Sequence, residues 1–201
     1  MRILETVYLI APLLVAGIVH APVIKLDLLS VLARPLDFGR TLRGQRIFGQ
    51  NKTWRGLLLM SAVSVLVVFA QSQLYALSPF RELSIIDYSH VSWLALGLAL
   101  GLSYSLAELP NSFAKRRLGI PSGGVSRRGP RVQYVVDQAD SAVGGTLALA
   151  LFLGGRVGTL LLVLGLGFLL HVAMDQLFFL FAVKRRESHA SASALEGSPT
   201  C

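Results

Sequence analysis

An apolar run passes directly into a basic segment in the stretch "HVSWLALGLALGLSYSLAELPNSFAKRRLGIPSGG", His90 to Gly124. About 20 apolar residues are enough for a helix, rising about 1.5 Å per residue, to cross about 30 Å of hydrocarbon. The run over 90–109 therefore predicts a membrane-spanning helix. From Glu108 onward, an acid, an amide, a hydroxyl, three consecutive cations and a glycine pair follow one another. This chemistry favours a negatively charged ligand at the end of the helix.

The composition of the whole chain is that of a membrane protein. Of its 201 residues, 53% are hydrophobic and only 15% are charged, whereas about 25% are charged in soluble domains. The mean hydropathy is +0.61. We predict an all-α integral membrane protein with about five transmembrane helices, near 4–24, 56–76, 90–109, 139–155 and 158–182.

Two details of this plan allow alternatives. The first run could be a cleaved signal peptide, but it is longer than the usual apolar region of about 7–15 residues and contains Glu5, so we interpret it as a span. Gly154 and Gly155 could form either a turn outside the membrane or a break in a helix. We place a transmembrane domain at 1–183 and a disordered tail, small and polar in composition, at 184–201.

The distribution of cations predicts the orientation in the membrane. Of the 19 Lys and Arg residues, seven lie between 25 and 55, six between 110 and 138, and three at 184–186. Cytoplasmic segments of membrane proteins are enriched in Lys and Arg. We therefore expect a protein of the plasma (inner) membrane with its N-terminus outside, and with its C-terminus and two long basic loops in the cytoplasm.

The first basic loop combines glycines with hydrogen-bond donors of several kinds. It reads "KLDLLSVLARPLDFGRTLRGQRIFGQNKTWRG" over residues 25–56. Glycines allow backbone N–H groups to approach a phosphate closely, Lys supplies a point charge and Arg a planar fork. The side chains of Asn51, Lys52, Thr53 and Arg55 would suit a polyphosphate. Alternatively, the cations only set the topology and contact anionic lipid head groups.

The second basic loop repeats this chemistry after the third span. Asn111 and Ser112 would share a helix face with Lys115. Pro110 could start a short helix with N–H groups open to an anion, which "GIPSGG" would then end. The alternative is that the run Lys115 to Arg117 anchors the chain at the membrane interface.

Two acids stand before the fourth span, in "VVDQADSAVGG". On a helix, Asp137 and Asp140 would point the same way and could share a Mg²⁺ ion that also binds substrate phosphates. Asp137 could instead cap the helix. Ionisable groups at span ends, such as Glu108 and His20, tend to mark functional cavities, whereas the pair His171 and Asp175 on the last span is better interpreted as a link between helices.

Three ordered motifs make the chain resemble a known family. "DFGRTLRGQRIFGQNKTWRG", "ELPNSFAKRRLGIPSGG" and "QYVVDQADS" look like the CDP-archaeol synthase family, a branch of the membrane lipid cytidylyltransferases related to CDP-diacylglycerol synthase. The resemblance covers about residues 4–182. Ser112, Lys115 and Arg116 match an S-x-x-K-R core, and Asp137 and Asp140 match a closing D-R-x-D in which Gln138 replaces the arginine. The K-D pair of the diacylglycerol branch has no counterpart after this core.

The resemblance implies transfer of CMP from CTP to a phosphorylated glycerolipid of isoprenoid-ether or acyl type, with release of pyrophosphate, for phospholipid synthesis. The implied catalytic residues are Lys115, Arg116, Asp137 and Asp140. Mg²⁺ would be held by Asp137 and Asp140, with Glu108 as a third acid. The implied ligands of CTP or the lipid phosphate are Asn51, Lys52, Thr53, Arg55, Asn111 and Ser112.

Rival functions are weaker. The signature of CDP-alcohol phosphotransferases is not found in the sequence. A non-catalytic membrane protein that binds or transports anions or lipid phosphates is the alternative, although a pure anion site should avoid paired acids. We expect CTP, the lipid phosphate and membrane lipids as partners, and no nucleic acid. Oligomeric state is not predicted, although Gly144, Gly145, Gly165 and Gly167 would permit close helix contacts.

Overall fold

A computed structural model describes residues 3–196, with side chains through residue 176. It contains the helices α1 Ile3–Lys25, α2 Trp54–Leu74, α3 Ser78–Leu83, α4 Trp93–Arg117, α5 Pro130–Leu153 and α6 Val157–Glu196. Between α1 and α2, a 3₁₀ turn at Ser30–Leu32 precedes a short hairpin of β1 Thr41–Leu42 and β2 Gln45–Arg46. The all-α prediction is confirmed.

Four helices in the described part of the chain are long and apolar enough to cross a membrane. They are α1, α2, α4 and the segment Val157–Gln176 of α6. The helix α5 has the length but carries Arg131, Asp137 and Asp140 in its first half, and it packs against α4 and α6. The predicted count of about five spans is therefore not confirmed.

The third predicted span continues well beyond the apolar run. The helix α4 passes through Pro110 without interruption, so the interpretation of Pro110 as the start of a separate helix is wrong. At the end of α4, the N–H of Gly119 donates to the carbonyl of Arg116, and the N–H of Ile120 donates to that of Lys115. These bonds form a Schellman motif, with Gly119 in the left-handed conformation (φ 74°).

The fourth predicted span begins earlier than its hydropathy indicates. The helix α5 starts at Pro130, so Asp137 and Asp140 lie inside the helix, and the interpretation of Asp137 as its cap is wrong. After α5, Gly154 and Gly155 form a turn before α6. The predicted tail at 184–201 overlaps the end of α6 and then lies outside the described residues, so the domain boundary at 183 stays a prediction.

Glycines bring three helices into backbone contact. A Cβ atom at Gly101 of α4 would lie 2.4 Å from the Cα of Ser61 in α2, and one at Gly144 of α5 would lie 2.4 Å from the carbonyl oxygen of Ser103 in α4. Only glycine permits such distances. The expectation of close contacts at Gly144 is met within the chain, whereas Gly165 has no neighbouring atom within 4 Å of an added Cβ.

The apolar core and the basic loops occupy opposite ends of the bundle. The core contains Leu9, Ile10, Val68, Ile86, Leu96, Leu100, Ala148, Leu149, Leu153 and Val163. These residues lie near the start of α1, α4 and α6, near the end of α2 and α5, and, for Ile86, in the connection before α4. The loops at 26–53 and 118–129 meet at the other end, called the basic end below. Burial of the core therefore holds the helices together at one end of the bundle. Polar and charged groups form the basic end.

Candidate active site at the basic end

The first basic loop is organised around the buried carboxylate of Asp37. Its oxygens accept hydrogen bonds from the backbone N–H groups of Gly39, Phe48 and Gly49 at 3.0–3.1 Å, and from the guanidinium of Arg46 at 2.8 Å. Burial alone would raise the pKa of Asp37, but these donors lower it to about 2. Two of the predicted phosphate-binding glycines therefore hold a carboxylate of their own chain.

Ser122 joins the second basic loop to the first. Its hydroxyl accepts hydrogen bonds from the backbone N–H of Gln50 at 3.1 Å and from Nη1 of Arg116 at 3.0 Å. A Cβ atom at Gly49 would lie 2.3 Å from this hydroxyl oxygen, and Gly49 has a φ of 102°. Glycine at this position therefore permits the two loops to touch.

The predicted paired acids converge on one amide. Nδ2 of Asn111 donates to Oδ1 of Asp137 at 2.6 Å and to Oδ2 of Asp140 at 2.9 Å. Lys115 also donates to Oδ1 of Asp137, at 2.7 Å. The spacing of three residues on α5 thus directs both carboxylates the same way, as the sequence predicted, and the fold turns them toward α4.

Glu108 lies one turn before Asn111 on α4 and forms a second acid–cation contact. It accepts a hydrogen bond from the ammonium of Lys52, which reaches across from the first loop. The hydroxyl of Ser141 donates to its other oxygen at 2.6 Å and lies 3.3 Å from Oδ1 of Asp140. Ser141 therefore connects Glu108 to the paired aspartates.

A polar cavity of about 280 Å³ lies between the two loops. Its lining includes the predicted residues Asn51, Lys52, Ser112, Lys115, Arg116 and Asp137. Phe48, Gln133 and the segment 122–125 complete its wall. The cavity is thus surrounded by cations, amides and hydroxyls, with one acid.

A second cavity, of about 330 Å³, extends from this region into the helix bundle. Its deeper wall is apolar, with Ile10, Leu13, Leu14, Met60, Val163 and Leu170. Asn51 and Lys52 line both cavities, and Glu108 lies at the polar end of the second. A ligand with a polar head and hydrocarbon chains would fit the second cavity with its head near Lys52.

Two predicted ligands, Thr53 and Arg55, do not line the polar cavity. Thr53 caps α2, accepting a hydrogen bond from the N–H of Gly56 at 3.3 Å, although it also contacts the apolar cavity. Arg55 donates to Oδ1 of Asp27 at 2.7 Å and to the carbonyl of Leu28 at 2.9 Å. These bonds fix the chain after α1, and they give no support to a phosphate contact by Arg55.

The ionisable groups on the last helix lie beside the apolar cavity. His171 is within 3.2 Å of the carbonyl oxygen of Gln138 and 3.4 Å of the hydroxyl of Tyr104, so it connects α6 to both α5 and α4. This agrees with a role as an interhelical link. Asp175 and His20 contribute to the cavity wall.

Of the three acids predicted to hold a metal ion, Asp137 and Asp140 form a pair that suits a hard divalent cation, and Glu108 is separate from it. Among the described residues, no group of three or more His, Cys, Asp or Glu side chains is arranged to hold a metal ion. Glu108 is instead engaged by Lys52 and Ser141. Asp137 and Asp140 share Asn111 as a donor. Mg²⁺ commonly uses one or two carboxylates together with waters and substrate phosphates, and this pair would match that requirement.

Three residues that shape this site were not expected from the sequence. They are Asp37, Ser122 and Gln133, whose amide donates to the carbonyl of Gly124 at 3.0 Å. The pattern Asp37-Phe38-Gly39 is a recognisable signal, because an Asp side chain often accepts from the N–H two residues later. No comparable local pattern marks Ser122 or Gln133, whose contacts depend on the fold.

Comparisons with known proteins show the family of the chain. A family model described as CarS-like, CDP-archaeol synthase, matches residues 1–186. The CDP-archaeol synthase of Saccharolobus islandicus (strain L.S.2.15) is 29% identical over 155 residues, 75% of this chain and 79% of the relative. That of Pyrococcus furiosus is 43% identical over 91 residues, 44% of this chain and about half (48%) of the relative.

A solved structure has a similar fold. It is described as an intramembrane enzyme for archaeal membrane lipid biosynthesis, and it aligns with a TM-score of 0.56 and 24% identity. The alignment covers 87% of this chain and 94% of that one. The resemblance inferred from the three motifs is confirmed: the chain belongs to the CarS-like CDP-archaeol synthase family, whose members are CTP-dependent cytidylyltransferases embedded in the membrane.

Proposed function

We propose that this protein transfers CMP from CTP to a phosphorylated glycerolipid, and that the reaction takes place where the two cavities meet. The observation that carries the proposal is the placement of Asn51 and Lys52 in the walls of both cavities. A transferase must bring a water-soluble nucleotide and a lipid phosphate into contact. Adjoining polar and apolar cavities with a shared cation meet that requirement.

The polar cavity is the proposed CTP site. Lys115 and Arg116 would neutralise phosphate oxygens, and Ser112 and Asn51 would orient the nucleotide or its phosphates. Arg116 is only 8% exposed, so its charge is poorly screened by water. In such a site, most of the catalysis comes from positioning and charge neutralisation.

The apolar cavity is the proposed lipid site. Its walls come from α1, α2, α4, α5 and α6, and they would cover the hydrocarbon chains next to the head group. The lipid phosphate would then lie near Lys52, which must exchange Glu108 for the incoming anion. The cavity suits isoprenoid-ether and acyl chains alike, because its wall is aliphatic.

The reaction is a displacement at the α-phosphorus of CTP. An oxygen of the lipid phosphate forms a bond to this phosphorus, and the bond to the bridging oxygen between the α- and β-phosphates breaks. Pyrophosphate leaves with that oxygen, and the product is a CDP-activated lipid. The nucleophile is already an anion near neutral pH, so no protein base is needed to remove its proton.

We assign Asp137 and Asp140 as the carboxylates that would hold Mg²⁺. A bound Mg²⁺ neutralises negative charge on the triphosphate. Asn111 keeps the two carboxylates together, and Lys115 balances the charge on Asp137. Glu108 would position Lys52 and Ser141, and would be a third acid near the metal rather than its direct ligand.

We also propose that the basic end faces the cytoplasm. The cations at 25–55 and 110–138 lie at this end, and CTP is a cytoplasmic substrate. In this orientation the N-terminus lies outside the cell. The proposed membrane is the plasma (inner) membrane.

The proposal is tested by pyrophosphate release from the purified protein in detergent with Mg²⁺. Each of the four NTPs is combined with phosphatidic acid or with a di-isoprenoid glyceryl phosphate. Release with CTP and one lipid class supports the proposal and identifies the lipid. Binding of CTP without release from any combination contradicts it, and would favour a non-catalytic lipid-phosphate or anion binder.

A further inference from the structure

Arg117, the last residue of α4, holds the hairpin of the first basic loop. Its guanidinium donates hydrogen bonds to the carbonyl oxygens of Leu42, Gln45 and Arg46, at 3.1 Å for Gln45 and 2.7 Å for Arg46. It also lies 5.2 Å from the centre of the Phe113 ring, one turn earlier on α4. One side chain thus ties the end of a membrane helix to three backbone groups of the hairpin.

Asp37 holds the two ends of the hairpin. That carboxylate accepts from backbone N–H groups before and after the strands, whereas Arg117 donates to carbonyl groups within the two strands. Arg46 contacts both residues, since its side chain donates to Asp37 and its carbonyl accepts from Arg117. A hairpin of two residues per strand is too short to be stable alone, so these contacts determine its position.

The chain that follows the hairpin leads directly into the proposed active site. Phe48, Asn51 and Lys52 line the polar cavity and lie only a few residues after β2. We propose that Arg117 is a positioning residue for the nucleotide site: through the hairpin, it holds this wall against the wall formed by α4. The inference rests on the proposed function and adds a residue that itself touches no substrate.

The chemistry of arginine suits this task better than that of lysine. Its planar guanidinium offers five N–H donors in a rigid fork, which can reach several carbonyl oxygens at once and can stack on an aromatic ring. An ammonium at the same place would keep the charge but could not reproduce the same set of bonds. Arg117→Lys should therefore restore only part of what Arg117→Ala removes.

Two measurements test the role of Arg117 in the full-length protein. The first is limited trypsin digestion, with cleavage after Arg40 and Arg43 at the hairpin quantified by mass spectrometry against cleavage after Arg156, an exposed residue between α5 and α6. The second is the steady-state kinetics of pyrophosphate release, with CTP and the lipid phosphate varied separately. Arg128→Ala is the matched control, because Arg128 is an exposed cation of the second loop.

For Arg117→Ala we expect faster cleavage in the hairpin and a rise of about tenfold in KM for CTP, with the KM for the lipid phosphate nearly unchanged. Arg117→Lys should be intermediate in both measurements, and Arg128→Ala should match the wild type. Wild-type cleavage in Arg117→Ala, or faster cleavage with an unchanged KM for CTP, would overturn the inference. If Arg117→Ala does not fold, the same criteria apply to Arg117→Lys.

The digestion also separates this inference from the proposed function. If the wild type releases pyrophosphate with no substrate pair, the proposed function fails. The digestion pattern, repeated with CTP as a plain ligand, still tests whether Arg117 holds the hairpin and whether a nucleotide protects it. Equal CTP protection in the wild type and Arg117→Ala would overturn the positioning role.

Discussion

The ammonium of Lys115 donates a 2.7 Å hydrogen bond to Oδ1 of Asp137, joining the end of α4 to the third turn of α5. Cation and carboxylate neutralise each other in this arrangement. In the proposed reaction, Lys115 would contact the triphosphate, and Asp137 would be released to hold Mg²⁺. The ion pair therefore keeps both groups in place before the substrates arrive.

Removing one of the paired carboxylates should abolish metal-dependent turnover. For Asp140→Asn we expect pyrophosphate release to fall by about 100-fold or more, because an amide oxygen carries no net charge to offer Mg²⁺. The measurement is the rate as a function of Mg²⁺ concentration. Glu82→Gln, in α3 at the other end of the bundle, is the control and should behave as the wild type. Full Mg²⁺-dependent turnover by Asp140→Asn would contradict the metal assignment.

Lys52 and Lys115 should differ in which substrate they affect. Lys52 lines both cavities, so Lys52→Met should raise the KM for CTP and for the lipid phosphate, each by about tenfold. Lys115 lines only the polar cavity, so Lys115→Met should raise the KM for CTP and leave that for the lipid nearly unchanged. Separate titrations of the two substrates give these constants. An effect of Lys52→Met on one substrate alone would argue against a shared site.

The close contact of α4 and α2 should make Gly101 intolerant of even one methyl group. A Cβ there would be 2.4 Å from the Cα of Ser61, so Gly101→Ala should destabilise the protein by about 1–3 kcal/mol. Gly165→Ala is the matched control, since nothing lies within 4 Å of its Cβ, and it should be neutral or stabilising by up to about 1 kcal/mol. Thermal unfolding in detergent measures both. Equal stability of the two variants would count against the packing described here.

The first basic loop should lose order in acid. The folded-state pKa of Asp37 is about 2, below its value of 3.8 in an unfolded chain. A carboxylate with a lowered pKa contributes stability above its unfolded pKa, and that contribution is lost as the pH falls through the folded pKa. We therefore expect the hairpin to open between about pH 4 and pH 2.

Trp54 can report this opening, because its ring centre lies 6.0 Å from that of Phe38, next to Asp37. With Trp93→Phe to remove the other tryptophan, its fluorescence should change in this pH window. Asp37→Asn should lack the transition and should already show the acid signal at neutral pH. An unchanged pH profile in Asp37→Asn would show that another group controls the loop.

The proposed orientation can be tested with single cysteines. In a Cys201→Ser background, which removes the sole cysteine, Arg43→Cys should react with a membrane-impermeant maleimide only from the cytoplasmic side. Glu82→Cys, in the connection at the other end of the bundle, should react only from outside. Labelling is compared in intact cells and in inverted vesicles. The reverse pattern would place the active site on the outer face.

The sequence by itself determined the membrane class, the family and the residue types of the site. Hydropathy is a sum over neighbours in the chain, so apolar runs such as 90–109 identify spans without knowledge of the fold. The spacing of Asp137 and Asp140 likewise predicted carboxylates that point the same way, because a helix repeats every 3.6 residues. Hydropathy was misleading where a helix leaves the apolar region, as at the start of α5 and the end of α4.

Only the tertiary structure decided which of these groups meet. It brought Lys52 to Glu108 and Ser122 to Arg116, and it directed Arg55 to Asp27 instead of to the cavities. Two of the glycines in the first loop, Gly39 and Gly49, donate their N–H groups to Asp37. Arg117, for which a membrane anchor was one alternative, donates to the hairpin. The physical reason is that buried donors and acceptors form hydrogen bonds with one another. Which groups far apart in the chain can pair depends on how the helices pack.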